Sequence, residues 1–141
     1  MAVQKFSLEK DGGKQLTSNF KIREFRCKDG SDEILTDVDF VKNKLQEIRN
    51  WAQAPITINS AYRTETYNKK VGGASKSYHV KGQAYDIVVK GKTLDAVCKY
   101  AESIGVLGII QYPNKGFVHI DSRTTKYYSK NSGKTSCDTF K

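Results

Sequence analysis

The chain has 141 residues, 38% of them hydrophobic, which suffices for one domain with a real core and is too short for two ordinary ones. Its 24 Lys and Arg against 15 Asp and Glu give a net charge of +9 and a pI near 9.4, which favours an anionic partner through long-range attraction. Mean hydropathy is −0.60, and no stretch approaches the roughly 20 apolar residues of a membrane helix, so a helical membrane protein is excluded.

Residues 1–18 are polar without clear periodicity and read as an N-terminal arm or a short edge element, ahead of a domain expected over 19–128. Thr36 is suited to cap a helix running to about Trp51, because Val38, Val41, Leu45 and Ile48 recur at helical spacing. Pro55 closes that region, and Ile56 to Ala61 alternates as a strand does. A short helix is predicted over Thr64 to Lys70. Gly72 and Gly73 then open a loop that delivers Ser77 and His79. Ala84 to Val89 reads as a central strand carrying Asp86. Thr93 to Ile104 reads as a second helix with Leu94, Val97, Cys98, Ala101 and Ile104 on one face and Gly105 at its C-terminal cap. Leu107 to Tyr112 and Phe117 to Asp121 form a predicted hairpin across residues 113–116, and Thr125 to Tyr128 adds an edge strand. Residues 129–141 are rich in Ser, Lys and Gly and read as a loose polar tail. The order of elements predicts an α+β domain: a small antiparallel sheet with helices packed on one face.

Three cysteines, Cys27, Cys98 and Cys137, occur without a Cys-x-x-Cys pair. Their odd number, and the lack of an apolar core in residues 1–14, predict free thiols and a chain that is cytoplasmic as synthesised. Cys98 is expected in the core and Cys137 at the surface. Cys27 is read as a buried thiol, with a nucleophilic role as the alternative.

The chain contains only two histidines, His79 and His119. His79 lies seven residues before Asp86, with Gly82 and Ala84 between. That distance does not fit one helical face, but a loop entering a strand can fold both side chains toward one point, and Gly82 permits the tight turn. In Phe117-Val118-His119-Ile120-Asp121, alternation puts His119 and Asp121 on one strand face and sends Val118 and Ile120 to the core. Two imidazoles and one carboxylate suit Zn2+ and leave a fourth position open, as catalytic zinc sites do.

The run Ser77-Tyr78-His79-Val80-Lys81-Gly82-Gln83-Ala84-Tyr85-Asp86 resembles the first zinc motif of the zinc D-Ala-D-Ala carboxypeptidase and L-alanyl-D-glutamate endopeptidase family, peptidoglycan peptidases of bacteria and their phages. Ile58 to Thr64 resembles that family's arginine-bearing strand, Phe117 to Asp121 the motif with its last ligand, and Asn19 to Cys27 its opening segment, so the resemblance covers roughly residues 19–123. It implies a zinc site of His79, Asp86 and His119 on the open face of the sheet. It also implies a substrate-binding and charge-stabilising Arg63, and a substrate-contacting Ser77. Tyr112, near the hairpin, is a further substrate-binding candidate, with packing as its other role.

Many relatives carry Asp or Glu three residues before the last histidine ligand, whereas this chain has Gly116 there. Asp121 shares a strand face with His119 and is the substitute candidate for general base; its other candidate role is to orient His119. The expected activity is zinc-dependent hydrolysis of D-amino-acid-containing peptide bonds of peptidoglycan by a monomer acting on the wall after phage or prophage lysis, with stem peptides and the anionic cell wall as partners. A zinc-containing cell-wall binding module without hydrolytic activity is the alternative that Gly116 motivates. Nucleic-acid binding is not expected, because the basic residues show no aromatic interleaving.

Overall fold

The computed structural model describes residues 2–141. Its elements are strand β1 (Val3–Ser7), helix α1 (Leu8–Asp11), strands β2 (Gln15–Thr17) and β3 (Phe20–Lys21), a 3-10 turn (Ile22–Phe25) and strand β4 (Glu33–Asp37). Helix α2 (Val38–Phe40) continues through a π turn (Val41–Leu45) into α3 (Gln46–Ala52). Then follow β5 (Ile56–Ser60), α4 (Glu65–Lys70), β6 (Ala84–Val89), α5 (Leu94–Ser103), β7 (Gly108–Tyr112), β8 (Phe117–Asp121) and β9 (Tyr127–Ser129). Helices and small sheets are thus mixed along one chain, as the α+β reading expects. None of the helices among the described residues is long and apolar enough to cross a membrane.

The main sheet has the order β5-β6-β8-β7-β9. All its pairs are antiparallel except β7 with β9, so the sheet is mixed where a purely antiparallel one was expected. The cause is the return path: β9 follows β8 after a short loop and docks on the far side of β7, which aligns it with β7. Ile58, Ile87, Ile109, Val118 and Ile120 from the sheet join Val41, Leu45 and Ile48 from the first helical run and Val97 and Cys98 from α5 in one core. Cys27 is also fully buried, so its thiol is a packing group; burial pushes the Cys98 thiol up to about 12.

Three local expectations need correction. The helix cap is Asp37 and not Thr36: the Asp37 carboxylate accepts from the Phe40 amide, while Thr36 lies in β4 opposite Gln4 with its hydroxyl 2.8 Å from the Tyr85 hydroxyl. A β-branched residue fits the pleated strand, and the carboxylate one step later meets the orphan amides of the helix. Of the two readings of the N-terminal segment, the short edge element holds and the arm does not, because β1 pairs with β4 over five residues and the Leu8 amide donates to Asp32; position 1 of that segment lies outside the described residues. β4 is not among the strands anticipated from the sequence, since charged Asp32 and Glu33 mask it. The C-terminal tail is not loose either. Phe140 is 1% exposed, its ring 5.3 Å from that of Tyr128, and its amide donates to Glu102. Cys137 bridges Tyr128 and is only partly exposed. One aromatic in thirteen polar residues suffices to anchor the tail, because a buried ring removes a large apolar area from water.

Phe140→Ala is accordingly expected to lower unfolding free energy by about 3–5 kcal/mol, the range for deleting a buried aromatic. Urea denaturation checks this; a loss under about 0.5 kcal/mol, as for a surface change, would mean that the tail is not part of the folded unit.

Candidate metal centre

His79 is delivered by a succession of tight turns. Its amide donates to Ser77 Oγ at 3.1 Å, its carbonyl accepts from the amides of Arg63 and Gly82, and Val80 closes back on Ser77. Gly82 has φ +73°, and a Cβ there would lie 2.6 Å from the Leu35 carbonyl group, so only glycine fits this crossing beneath β4. Asp86 and His119 come from neighbouring strands and face each other in the β6–β8 register.

The three side chains converge: one ligand atom from each of His79, Asp86 and His119 lies within 4.8 Å of the others, and all three residues are buried. Each imidazole is oriented by its second nitrogen. His79 Nδ1 is 2.7 Å from the Ala61 carbonyl, which makes it the donor and leaves Nε2 facing Asp86 Oδ2 at 3.3 Å. His119 Nε2 is 2.7 Å from Asp121 Oδ2, which leaves Nδ1 facing Asp86 Oδ1 at 3.0 Å. Two rings with fixed tautomers and a carboxylate aimed at one point form a donor set of the kind zinc takes, including the outer hydrogen bonds that orient ligating histidines. The residues present therefore fit the metal.

Burial by itself would lower the pKa of His119, but the hydrogen bonds that its ring donates to Asp121 and Asp86 outweigh it and raise the imidazole to about 9. Burial likewise opposes ionisation of Asp121, and the hydrogen bonds from Arg123 and His119 overcome it, bringing Asp121 to about 2. Asp86 follows the same logic: desolvation is outweighed by His119 and His79, and its carboxyl is held well below the usual range.

Arg63 stands beside this cluster, its Nη2 3.6 Å from Asp86 Oδ2. Its Nε donates to Ser60 Oγ at 3.0 Å and its Nη1 to Asn68 Oδ1 at 3.1 Å, so the guanidinium is held on three sides. Asn68 in turn donates to the Ala74 carbonyl, tying the loop of residues 72–77 to the same arginine. Ser77 and Tyr112 both border the cleft over the cluster, whose volume is about 380 Å³. The Ser77 hydroxyl accepts from His79 as a turn residue, and Tyr112 stacks on Phe117 at 4.6 Å, so each has a packing role besides its place on the cleft wall. Gly116 has φ +76° and turns the β7–β8 hairpin.

Asp121 lies in a different setting from the cleft. It is 0% exposed, and Arg123 grips it through Nε and Nη2, both at 2.7 Å. A side chain at Gly108 would run into its carboxylate, so that glycine makes the room it occupies. Arg123 is a residue that motif reading passed over, as are Ser60 and Asn68 in their role of holding Arg63. The signal for Arg123 is the alternation itself, since a continued strand puts residue 123 on the face of His119 and Asp121. For Ser60 and Asn68 no such signal exists, because hydrogen bonds across a turn have no period.

A mixed α and β domain that gathers a buried His-Asp-His set from a loop and two strands at a cleft could hold a metal ion of the kind that hydrolases use. Residues 16–121 match the family model described as Peptidase M15, and the chain belongs to that family. It is similar to the peptidoglycan L,D-endopeptidase MepK of Escherichia coli strain K12, 37% identical over 79 residues, which cover 52% of this chain and 43% of the relative. A probable peptidoglycan L,D-endopeptidase MepK of Haemophilus influenzae is 35% identical over 74 residues, covering 49% and 40%. The zinc D-Ala-D-Ala carboxypeptidase of Streptomyces albus G is 32% identical over 90 residues, covering 61% and 35%. The matched part thus spans less than half the length of each of these relatives.

With its pKa near 9, His119 carries at pH 7 a proton that a metal must displace from Nδ1. Zinc binding at pH 7 is expected to release about one proton per site, which calorimetric titration in buffers of different ionisation enthalpy reads directly. The same raised pKa has a stability consequence. Since the folded value lies above the ordinary 6.5, the stabilisation is complete below about pH 6.5 and is lost as pH rises through about 9. The urea midpoint of metal-free protein should fall across that window; a flat profile would contradict the buried imidazolium.

Proposed function

We propose that this chain is a zinc peptidase that hydrolyses D-amino-acid-containing peptide bonds of bacterial peptidoglycan. The observation that carries the reading is the set His79, Asp86 and His119 on the floor of an open cleft with Arg63 beside it. The names of the relatives, two peptidoglycan endopeptidases and a zinc carboxypeptidase, support the same substrate class. In this reading the helices pack on one face of the main sheet and the metal site occupies the other. That arrangement is supported by the burial of Val118 and Ile120 in the core while His119 borders the cleft.

Zinc held by the three ligands supplies Lewis acidity toward a peptide carbonyl and brings the pKa of water down to about 7. Arg63 is a fixed cation beside that position, suited to bind the substrate carbonyl or a nearby carboxylate as charge develops. Its three hydrogen-bonding and ionic contacts remove the motion that an arginine would otherwise lose on binding. Ser77 and Tyr112 offer hydroxyl groups at the cleft wall for the peptide. Asp121 acts as a positioning residue in this reading: sealed behind His119 and clamped by Arg123, it holds the Nε2–H and so aims Nδ1. Lys115, before β8, and Arg123, after it, both border the cleft, so lining residues lie to either side of His119 along that strand, a layout suited to a chain passing over it and to endopeptidase action. The net charge of +9 adds attraction to an anionic wall. A zinc-containing wall-binding module without hydrolysis is the second reading, favoured by one observation: among the described residues Asp86 is the one carboxylate bordering the cleft.

Purified protein should carry about one zinc per chain, and His79→Ala or His119→Ala should abolish it; zinc-replete wild type without metal would sink the proposal. Mass spectrometry of digested peptidoglycan separates the two readings. New muropeptide termini that vanish with chelator mean hydrolysis, and intact sacculi that still retain the protein mean binding. Asp121→Asn is expected to weaken zinc affinity about 10- to 100-fold, with turnover recovering in excess zinc. Turnover lowered by two to four orders of magnitude at unchanged zinc occupancy would instead make Asp121 the general base.

A further inference from the structure

The cleft has an unusual charge balance. Arg63, Lys76, Lys115 and Arg123 border it, and Asp86 is the one acidic residue that does so. Arg63 and Arg123 each meet a buried carboxylate, Asp86 and Asp121 respectively. Lys76 and Lys115 make no salt bridge among the described residues and are exposed. A metal at the floor would add further positive charge, and a peptide lying here would meet cations on both sides of it.

The cations are also placed. Lys115 precedes β8 in the hairpin turn and Arg123 follows its end, so they mark opposite ends of the strand on which His119 is the middle residue. At one end Lys115 Nζ is 5.8 Å from the Tyr112 ring, itself stacked on Phe117. At the other, the Arg123 guanidinium lies over the Tyr78 and Tyr127 rings, at 4.7 and 5.2 Å from their centroids. Asp121 takes Nε and Nη2 of Arg123, while Nη1 makes no hydrogen bond among the described residues. A guanidinium fixed by two rings and a carboxylate loses little freedom on meeting a second anion, which makes it an efficient recognition group.

We infer that the cleft holds two carboxylate-binding subsites, at Lys115 and at Arg123, and selects acidic peptides whose free carboxylates flank the bond lying over His119. The selection of a scissile bond rests on the peptidase reading above; the recognition of the carboxylates does not. A peptide with those carboxylates masked as carboxamides keeps its shape and hydrogen-bonding backbone but loses both charge-assisted contacts.

The test uses two stem-type peptides that differ only in whether the flanking carboxylates are free or amidated, offered to the zinc-loaded protein in calorimetry and in hydrolysis assays. Wild type should bind the free-acid peptide at least 10-fold tighter, with the margin shrinking as salt is added. Lys115→Gln should weaken the free-acid peptide about 10-fold, the scale of one hydrogen bond to a charged group, and leave the amidated one unchanged. Lys115→Arg should retain the preference. Lys90→Gln, which changes an exposed lysine not bordering the cleft, serves as the control for overall charge. Equal affinity for the two peptides in wild type overturns the inference. So does an equal loss for both peptides in Lys115→Gln, or a Lys90→Gln loss as large as that of Lys115→Gln. A binding preference without cleavage of either peptide leaves the subsites standing and removes the peptidase reading; cleavage of both without preference does the reverse.

Discussion

One row of residues across the main sheet governs the site. Ser60, Asp86, His119 and Ile110 are register partners on β5, β6, β8 and β7, and the row places the Arg63 anchor, two residues of the His-Asp-His set and a cleft wall at one level. Side chains alternate between sheet faces, so a slip of one residue would turn His119 into the apolar core and Val118 toward the cleft. The core enforces the register from below, because Val118 and Ile120 are fully buried and have no alternative place. The next row applies the same constraint in a different way. Ala84 and Gly108 flank Asp121, and their small size leaves room for a carboxylate and for the guanidinium that grips it.

Burying this many ionisable groups is costly unless each charge is matched. Here the matching is nearly complete. Asp86 meets both histidines and Arg63, Asp121 meets His119 and Arg123, and the outer nitrogen of His79 meets a backbone carbonyl. The cluster is therefore arranged in advance, with both ring tautomers set by groups outside the ligand set. A proton on His119 Nδ1 and a metal compete for the same position, which couples metal affinity to pH through a single nitrogen. Ser122 Oγ is a buried hydroxyl without a partner, next to the cluster in sequence, and nothing else in the structure explains it.

The chain belongs to the Peptidase M15 family, and it gathers a donor set suited to zinc. Within that frame the chain has its own features. The hairpin turn has Gly116 where an acidic side chain was looked for, and the carboxylate nearest to the outer nitrogen of His119 is the buried Asp121. The cleft is consequently cationic, bordered by Arg63, Arg123 and two lysines, Lys76 and Lys115, that make no salt bridge among the described residues.

The candidate set His79, Asp86 and His119, with Arg63 beside it, and the strands that carry Asp86 and His119 were legible in the sequence because they depend on local pattern. Alternation assigns faces within β8, a glycine marks the turn after His79, and helical spacing marks α5. The N-terminal segment was left between an arm and an edge element, and the tail was misjudged, for a related reason: β1 is stabilised by pairing with β4 and the tail by the burial of Phe140, and neither contact has a local period. Asp121 was legible as a neighbour of His119, but alternation could not tell a base facing substrate from an orienting group facing Arg123. That distinction depends on burial, and burial is decided by which segments pack over a residue. The same limit applies to Ser60 and Asn68, whose hold on Arg63 crosses a turn and a helix. The sequence by itself determined which residue types are available and which face of each element they share. Only the tertiary structure decided which of them are sealed from water and which border the cleft, because exposure is a property of the packed whole and not of any segment.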